Sequence, residues 1–190
     1  MPVRNIAVLV GSLKKASLSR KVALALTELA PAGLKLNIVE IGDLPLYNED
    51  VEAEGPSAAW IRFRDQVRAA DGVIFVTPEY NRGLPAALKN AIDVGSRPYG
   101  HSVFSGKPAA VISQSPGALG GFGANHQLRQ SLVFLDMPVL QQPEAYISNS
   151  GQLFDEAGKL TSEPVSDLLT KLLTAYAALV DVRAPLRAAA

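Results

Sequence analysis

The run Gly72-Val73-Ile74-Phe75-Val76-Thr77 is apolar at every position before its terminal threonine. A strand of that kind has no side to turn to water, so it must be buried on both faces, as the strands of parallel sheets are. The run at residues 6–10 has the same make-up, and residues 109–113 follow it closely. Each is followed by a pattern of helical period. After the first, Leu18, Val22, Leu26 and Leu29 recur until Pro31-Ala32-Gly33 stops the helix. Residues 34–41 alternate as a second strand, and Gly42-Asp43-Leu44-Pro45-Leu46-Tyr47-Asn48 opens a loop that runs to Pro56.

Ser57 then caps a helix carrying Trp60, Phe63, Val67 and Ala70 on one face. Pro85 stands as the first residue of a helix that Gly95 ends. Leu128, Leu132 and Leu135 mark another, Val139-Leu140 starts a fifth strand, and the chain to Leu160 is irregular. A last helix carries Leu168, Leu169, Leu172, Leu173, Tyr176, Leu179 and Val180, with a frayed tail expected after Arg183. Five strands alternating with five helices predict a single α/β domain over residues 1–190, an open, doubly wound parallel sheet with helices on both faces. In the order 2-1-3-4-5 the ligand-binding crevice lies beyond the C-terminal strand ends, between the first and third strands.

Three unusual loops leave the sheet at that edge. The first, Gly11-Ser12-Leu13-Lys14-Lys15-Ala16-Ser17-Leu18-Ser19-Arg20, leads from strand to helix. Free N–H groups and the positive end of the helix dipole attract an anion there, and hydroxyls and cations gather at the turn. Its single glycine fits neither the G-x-G-x-x-G nor the G-x-x-x-x-G-K-[ST] spacing, so it suits one terminal monophosphate rather than a dinucleotide or triphosphate. An ordinary connecting loop with Ser17 as N-cap would use the same residues. The second loop, Pro78-Glu79-Tyr80-Asn81-Arg82-Gly83, combines extended backbone with an exposed ring, a surface for a flat heterocycle. A rim aromatic and a turn-forming asparagine are its plainer description. The third, around Ser115 and Gly117, would approach the other edge of that ring, while residues 120–123 read as a flexible connector.

Charge and composition narrow the class. Eighteen basic and eighteen acidic residues cancel, and no basic block offers itself to nucleic acid or an anionic membrane. No apolar stretch reaches the ~20 residues of a membrane span, so a soluble, cytoplasmic protein is expected. With no cysteine and only His101 and His126, thiol chemistry, disulfides and a histidine-rich metal site fall away.

The chain resembles a known family, the NADPH-dependent FMN reductases of flavodoxin-like fold, which include bacterial chromate and quinone reductases and azoreductases. The resemblance rests on Gly11-Ser12-Leu13 with Ser17, Thr77-Pro78-Glu79-Tyr80-Asn81, Leu88-Lys89-Asn90-Ala91-Ile92-Asp93, Gly106-Lys107-Pro108, Leu128-Arg129-Gln130 and Val133-Phe134-Leu135-Asp136. It implies that FMN binds noncovalently, with Ser12, Lys14, Ser17, Leu18 and Ser19 around its phosphate. Pro78, Glu79, Tyr80 and Asn81 would line the ring and ribityl region, and Ser115 and Gly117 the far side. Lys14 stands where the family often has Arg, Arg82 where a small or aromatic residue is expected, and Val94 where Trp is usual.

The resemblance further implies two-electron transfer from NADPH or NADH to a quinone-like acceptor in a ping-pong cycle. Flavins, chromate and azo compounds are other acceptors of the group. No side chain is needed as acid or base, because the cofactor carries the chemistry. Arg82, at the mouth, would bind the donor by pairing with the ribose phosphate of NADPH; a solvated loop arginine is the alternative. A homodimer or homotetramer is implied, pairing through the helix at residues 88–93 and the segment around Arg129. The alternative is a flavodoxin-like one-electron carrier or a non-catalytic flavin-binding protein. A carrier's docking surface is by resemblance acidic, which a chain of zero net charge does not suggest.

Overall fold

A computed structural model describes residues 2–188, with side chains through Arg183. The frayed tail expected after Arg183 falls where side chains, and for the last two residues the backbone, lie outside the described residues. Five parallel strands form one sheet in the order β2-β1-β3-β4-β5. They are β1 Arg4–Val10, β2 Leu34–Val39, β3 Gly72–Thr77, β4 Ala109–Gln114 and β5 Ala145–Ile147. The register sets Ile6 beside Leu36 and Gly72, and Val73 beside Ala109. This is the expected doubly wound, flavodoxin-like arrangement, with the crevice between β1 and β3.

Because strand side chains alternate, each buried strand feeds two cores. Ala7, Leu9, Val73, Phe75 and Val111 pack beneath α3 (Ala58–Arg68), α4 (Ala86–Gly95) and α5 (Phe122–Phe134), against Trp60, Phe63, Leu88 and Leu132. Ile6, Val8, Val10, Ile74 and Ile112 face α1 (Leu18–Leu29) and α6 (Glu163–Ala188), meeting Val22, Leu26, Leu172 and Tyr176. Polar tips inside these layers find partners. The Tyr176 hydroxyl donates to the Pro108 carbonyl at 3.0 Å, and burial pushes its phenol well above the usual range. Lys107, 1% exposed, donates to the carbonyls of Arg68 and Ala70, so a buried ammonium closes the C-terminal end of α3.

Several boundaries differ from the sequence reading. Strand β2 stops at Val39 rather than Ile41. The loop expected to run to Pro56 contains a short helix, α2 (Glu49–Glu54), so the described residues hold six α-helices rather than five. Asn48 caps it by accepting from the Asp50 N–H at 2.9 Å, and Glu49, Asp50 and Glu52 in its first turn suit the dipole. It buries no residue, so it has no apolar period to betray it. Pro85 precedes helix α4 as its cap instead of opening it.

The fifth strand also starts later. Val139 makes only an isolated bridge to Ala109, and pairing resumes at Ala145 after Gln141-Gln142-Pro143, where a proline without N–H interrupts the ladder. Among the described residues no helix is long and apolar enough to cross a membrane. Nor do three or more His, Asp or Glu side chains gather there to hold a metal ion.

Candidate active site

The loop after β1 is a row of free donors. The Gly11 N–H still pairs with the Val76 carbonyl at 2.9 Å, and the Lys21 N–H with that of Ser17. Between them, among the described residues, only the Arg20 N–H has a protein partner, the Ser17 hydroxyl at 3.1 Å. Every backbone N–H from Ser12 to Ser19 is thus available at the N-terminal end of α1, where the dipole favours an anion. Side chains divide between two tasks. Ser17 is 3% exposed and caps the helix, so its plainer description is part of its role. Ser19 is wholly buried and accepts from Gln114 Nε2 at 2.8 Å, and the Ser150 hydroxyl donates to Gln114 Oε1 at 2.6 Å. Those hydroxyls brace the loop from below, whereas Ser12 and Leu18 are half-buried and Lys14 is exposed.

The loop after β3 is held in one shape. Tyr80 and Gly83 exchange both backbone hydrogen bonds, at 3.1 and 2.8 Å, around Asn81 (φ 50°) and Arg82 (φ 64°). Two successive left-handed residues make the tight hairpin turn that Asn tolerates and Arg does not favour. Such strain persists only where the surroundings over-determine it. Here they come from α5. Glu79 Oε2 accepts the Ala124 N–H at 3.0 Å, and Gln127 Oε1 accepts the Leu84 N–H. A Cβ on Gly123 would lie 2.6 Å from the Arg82 carbonyl oxygen, so only glycine allows this approach. Pro78 is buried and Tyr80 is 61% exposed. The Glu79 carboxylate is thus committed to α5, leaving its backbone for a ligand, and Arg82 Nη1 lies 3.7 Å from Glu79 Oε1.

The loop after β4 is buttressed rather than flexible. Ser115 Oγ accepts the Gly117 N–H at 3.1 Å, the Gly117 carbonyl accepts from Asn149, and the Ala118 carbonyl accepts from the Ser148 hydroxyl. Gly120, at φ 57°, would place a Cβ 2.7 Å from the Tyr146 backbone. Residues 120–123 are therefore packed junctions, not the flexible connector expected. Asn125 donates to the Ser113 hydroxyl at 3.1 Å and accepts from Arg129 Nε at 2.9 Å, tying β4 to α5.

Gln114, Asn125 and Gln127 were not singled out by sequence, although Gln114 and Asn125 each place in an apolar pattern a group that must find a partner indoors; Gln127 is exposed and carries no such signal. The three loops leave β1, β3 and β4, neighbours in the sheet, so they span about 10 Å. That arrangement suits a phosphate at one end and a flat ring at the other.

Known proteins share this architecture. The profile of a family described as NADPH-dependent FMN reductase matches residues 4–152. A quinone reductase of Pseudomonas putida is 68% identical over 161 residues, covering 85% of this chain and 87% of that protein. A 2-hydroxy-1,4-benzoquinone reductase of a Burkholderia species is 43% identical, covering 94% and 97%. The solved structure of FerB, a flavoenzyme NAD(P)H:(acceptor) oxidoreductase from Paracoccus denitrificans, matches with a TM-score of 0.88 at 38% identity, covering 95% of this chain and 99% of that one.

Proposed function

The chain belongs to the NADPH-dependent FMN reductase family, and from that premise we propose that it is an FMN-dependent NAD(P)H:quinone oxidoreductase working as one domain over residues 1–190. The observation that carries the reading is the unbroken row of free N–H groups from Ser12 to Ser19, built for a phosphate monoester. Ser12, Lys14 and Leu18, braced by Ser17 and Ser19, would hold the phosphate. Pro78, Glu79, Tyr80 and Asn81 would line the ring through backbone and the Tyr80 face, with Ser115 and Gly117 opposite. Bound there, FMN supplies two-electron chemistry between NAD(P)H and an acceptor, and the protein's part is to orient and exclude. The enzyme would work in the cytoplasm, where NAD(P)H is supplied.

Donor and acceptor would take turns at one open face of the flavin between the second and third loops. No general acid or base is required of the chain. Arg82 would meet the donor at this mouth. The test is steady-state kinetics with NADPH and a benzoquinone. Parallel lines in double-reciprocal plots, bleaching of the yellow band by NADPH without acceptor, and inhibition by excess quinone are the expected results. Intersecting lines would defeat the shared opening, and a band that stays unbleached would defeat the reductase reading.

Assembly as a homodimer or homotetramer is the second part of the proposal. Leu88 is wholly buried and Arg129 bonds Asn125 and the Leu140 carbonyl, so pairing through the helix at residues 88–93 and the segment around Arg129 would use their neighbours, such as the exposed Lys89. Val133 and Phe134, however, are 74% and 72% exposed on α5. Phe134 borders a groove of about 360 Å³ shared with Ile92, Asp93 and Arg97 of the α4 side. Adjacent exposed apolar side chains of this size favour a protein contact. Light scattering at micromolar concentration should give a tetramer mass, and Phe134→Glu should lower it; a monomeric wild type would contradict the assignment.

A further inference from the structure

Behind the phosphate loop, on the side away from the ring-binding loops, lies a second cavity of about 430 Å³ between the β1–α1 loop and the C-terminal end of β2. Its size is that of a small-molecule site. Val10, Val39 and Ile41 contribute apolar wall, and Leu13, 58% exposed, forms a flank. Four charged side chains border it. Arg20 and Glu40 neutralise one another through two hydrogen bonds, at 3.1 and 2.6 Å, which raise the guanidinium pKa and lower that of the carboxyl. The cavity shares Ser12 and Lys14 with the phosphate site, and once Lys14 meets the FMN phosphate, Lys15, with no acidic partner within 4.0 Å among the described residues, is the cation left unmatched.

Apolar wall beside an unmatched ammonium group suits a flat base joined to a phosphate. A free carboxylate at the end of the second strand would select a ribose diol and repel a 2′-phosphate. Both Glu40 oxygens are already taken by Arg20, so that repulsion is largely cancelled. The cavity and the ring-binding loop at β3 are separated by β1, two strand spacings or about 10 Å, within the reach of an extended dinucleotide. We propose that this cavity takes the adenosine end of the pyridine-nucleotide donor, and that Lys15 reads the 2′-phosphate of NADPH. The inference rests on the reductase reading above and assigns its donor specificity. This gives to Lys15 the contact that the sequence reading gave to Arg82, whose guanidinium lies 3.7 Å from Glu79 Oε1.

The test uses the FMN-loaded protein and adenosine 2′,5′-bisphosphate as probe, followed by titration calorimetry. Wild type should bind the probe about tenfold or more tightly than 5′-AMP, the range of one charge-assisted contact. Compared at equal flavin loading by absorbance, Lys15→Glu should abolish that preference and Lys15→Arg should restore it. In turnover, Lys15→Glu should raise the KM for NADPH about tenfold and that for NADH less than twofold. A preference that survives Lys15→Glu, or that Arg82→Ala removes instead, overturns the assignment. Failure of the wild type to oxidise either donor would sink the reductase reading separately, since probe binding still decides what the cavity holds.

Discussion

FMN is expected to bind about 10²–10⁴ times more tightly than riboflavin, which differs only in lacking the phosphate. The row of free N–H groups from Ser12 to Ser19 has no protein acceptor to give up. A phosphate dianion that gains only two charge-assisted bonds there, at ~1.5–3 kcal/mol each, is favoured by ~3–6 kcal/mol. Lys14 adds a point charge rather than a bidentate fork, so most of this discrimination comes from the backbone. The preference should also fall as pH drops below ~6, because the phosphate then takes up its second proton and loses half its charge. Fluorescence titrations of both flavins between pH 5 and pH 8 would check both points; equal affinities would remove the loop as the anchor.

Gly123→Val should be the most damaging single substitution in the site. Its Cβ would meet the Arg82 carbonyl at 2.6 Å and Glu79 Oε2 at 2.9 Å, and the first of these is backbone that cannot rotate away. Relief requires parting α5 from the loop after β3, which breaks the Glu79–Ala124 bond and unseats a turn that already holds Arg82 at φ 64°. Overpacking of this kind costs about 1–3 kcal/mol, and a lost buried hydrogen bond adds about 1 kcal/mol. A fall in the urea midpoint of the apoprotein, together with weaker binding of both flavins by a similar factor, is the expected pair of results. Gly33→Ala is the control, since nothing lies within 4 Å of its Cβ and it should change stability by less than about 1 kcal/mol. If the two variants behave alike, the tight junction at Gly123 does not hold the site together.

The fold was legible wherever burial imposed a period. Strands β1, β3 and β4 announce themselves because both faces are covered, and α3 because Trp60, Phe63 and Val67 share one stripe. Strand β5 has only three residues, so its start was expected too early, and α2 buries none, so it carries too little apolar pattern to be found. The site shows the same divide. Ser12, Lys14 and the 78–81 segment are legible as candidates because loop chemistry at the end of a buried strand is local.

The remaining site roles depend on residues distant in the chain. Glu79 pins α5 45 residues away, and Gln114 reaches Ser19 across 95 residues. Those roles follow from which elements become neighbours, and a strand-to-helix motif read by itself is silent about them. The same holds for Ser17 and Ser19, whose residue types suggest ligand contact but whose hydroxyls are used within the loop's support.

Helix α2 stands apart from the two cores. It is only six residues long, too short to persist by propensity, and buries nothing. Its main side-chain tether is the Glu52–Arg64 pair, in which Arg64 also donates to the Val94 carbonyl. The loop before it is fastened more firmly, by Asn90 accepting from the Tyr47 N–H and donating to the Leu44 and Pro45 carbonyls. Opening of this segment therefore has a natural hinge at Asn48 and needs no strand to move. In the language of local unfolding, α2 is a low-free-energy unit of the molecule, separable from the global transition. Asn48 and Glu49 also form one wall of a cleft of about 560 Å³ that reaches Ala86 at the start of α4. Opening of α2 would widen that cleft while the sheet and the loops after β1, β3 and β4 stay still.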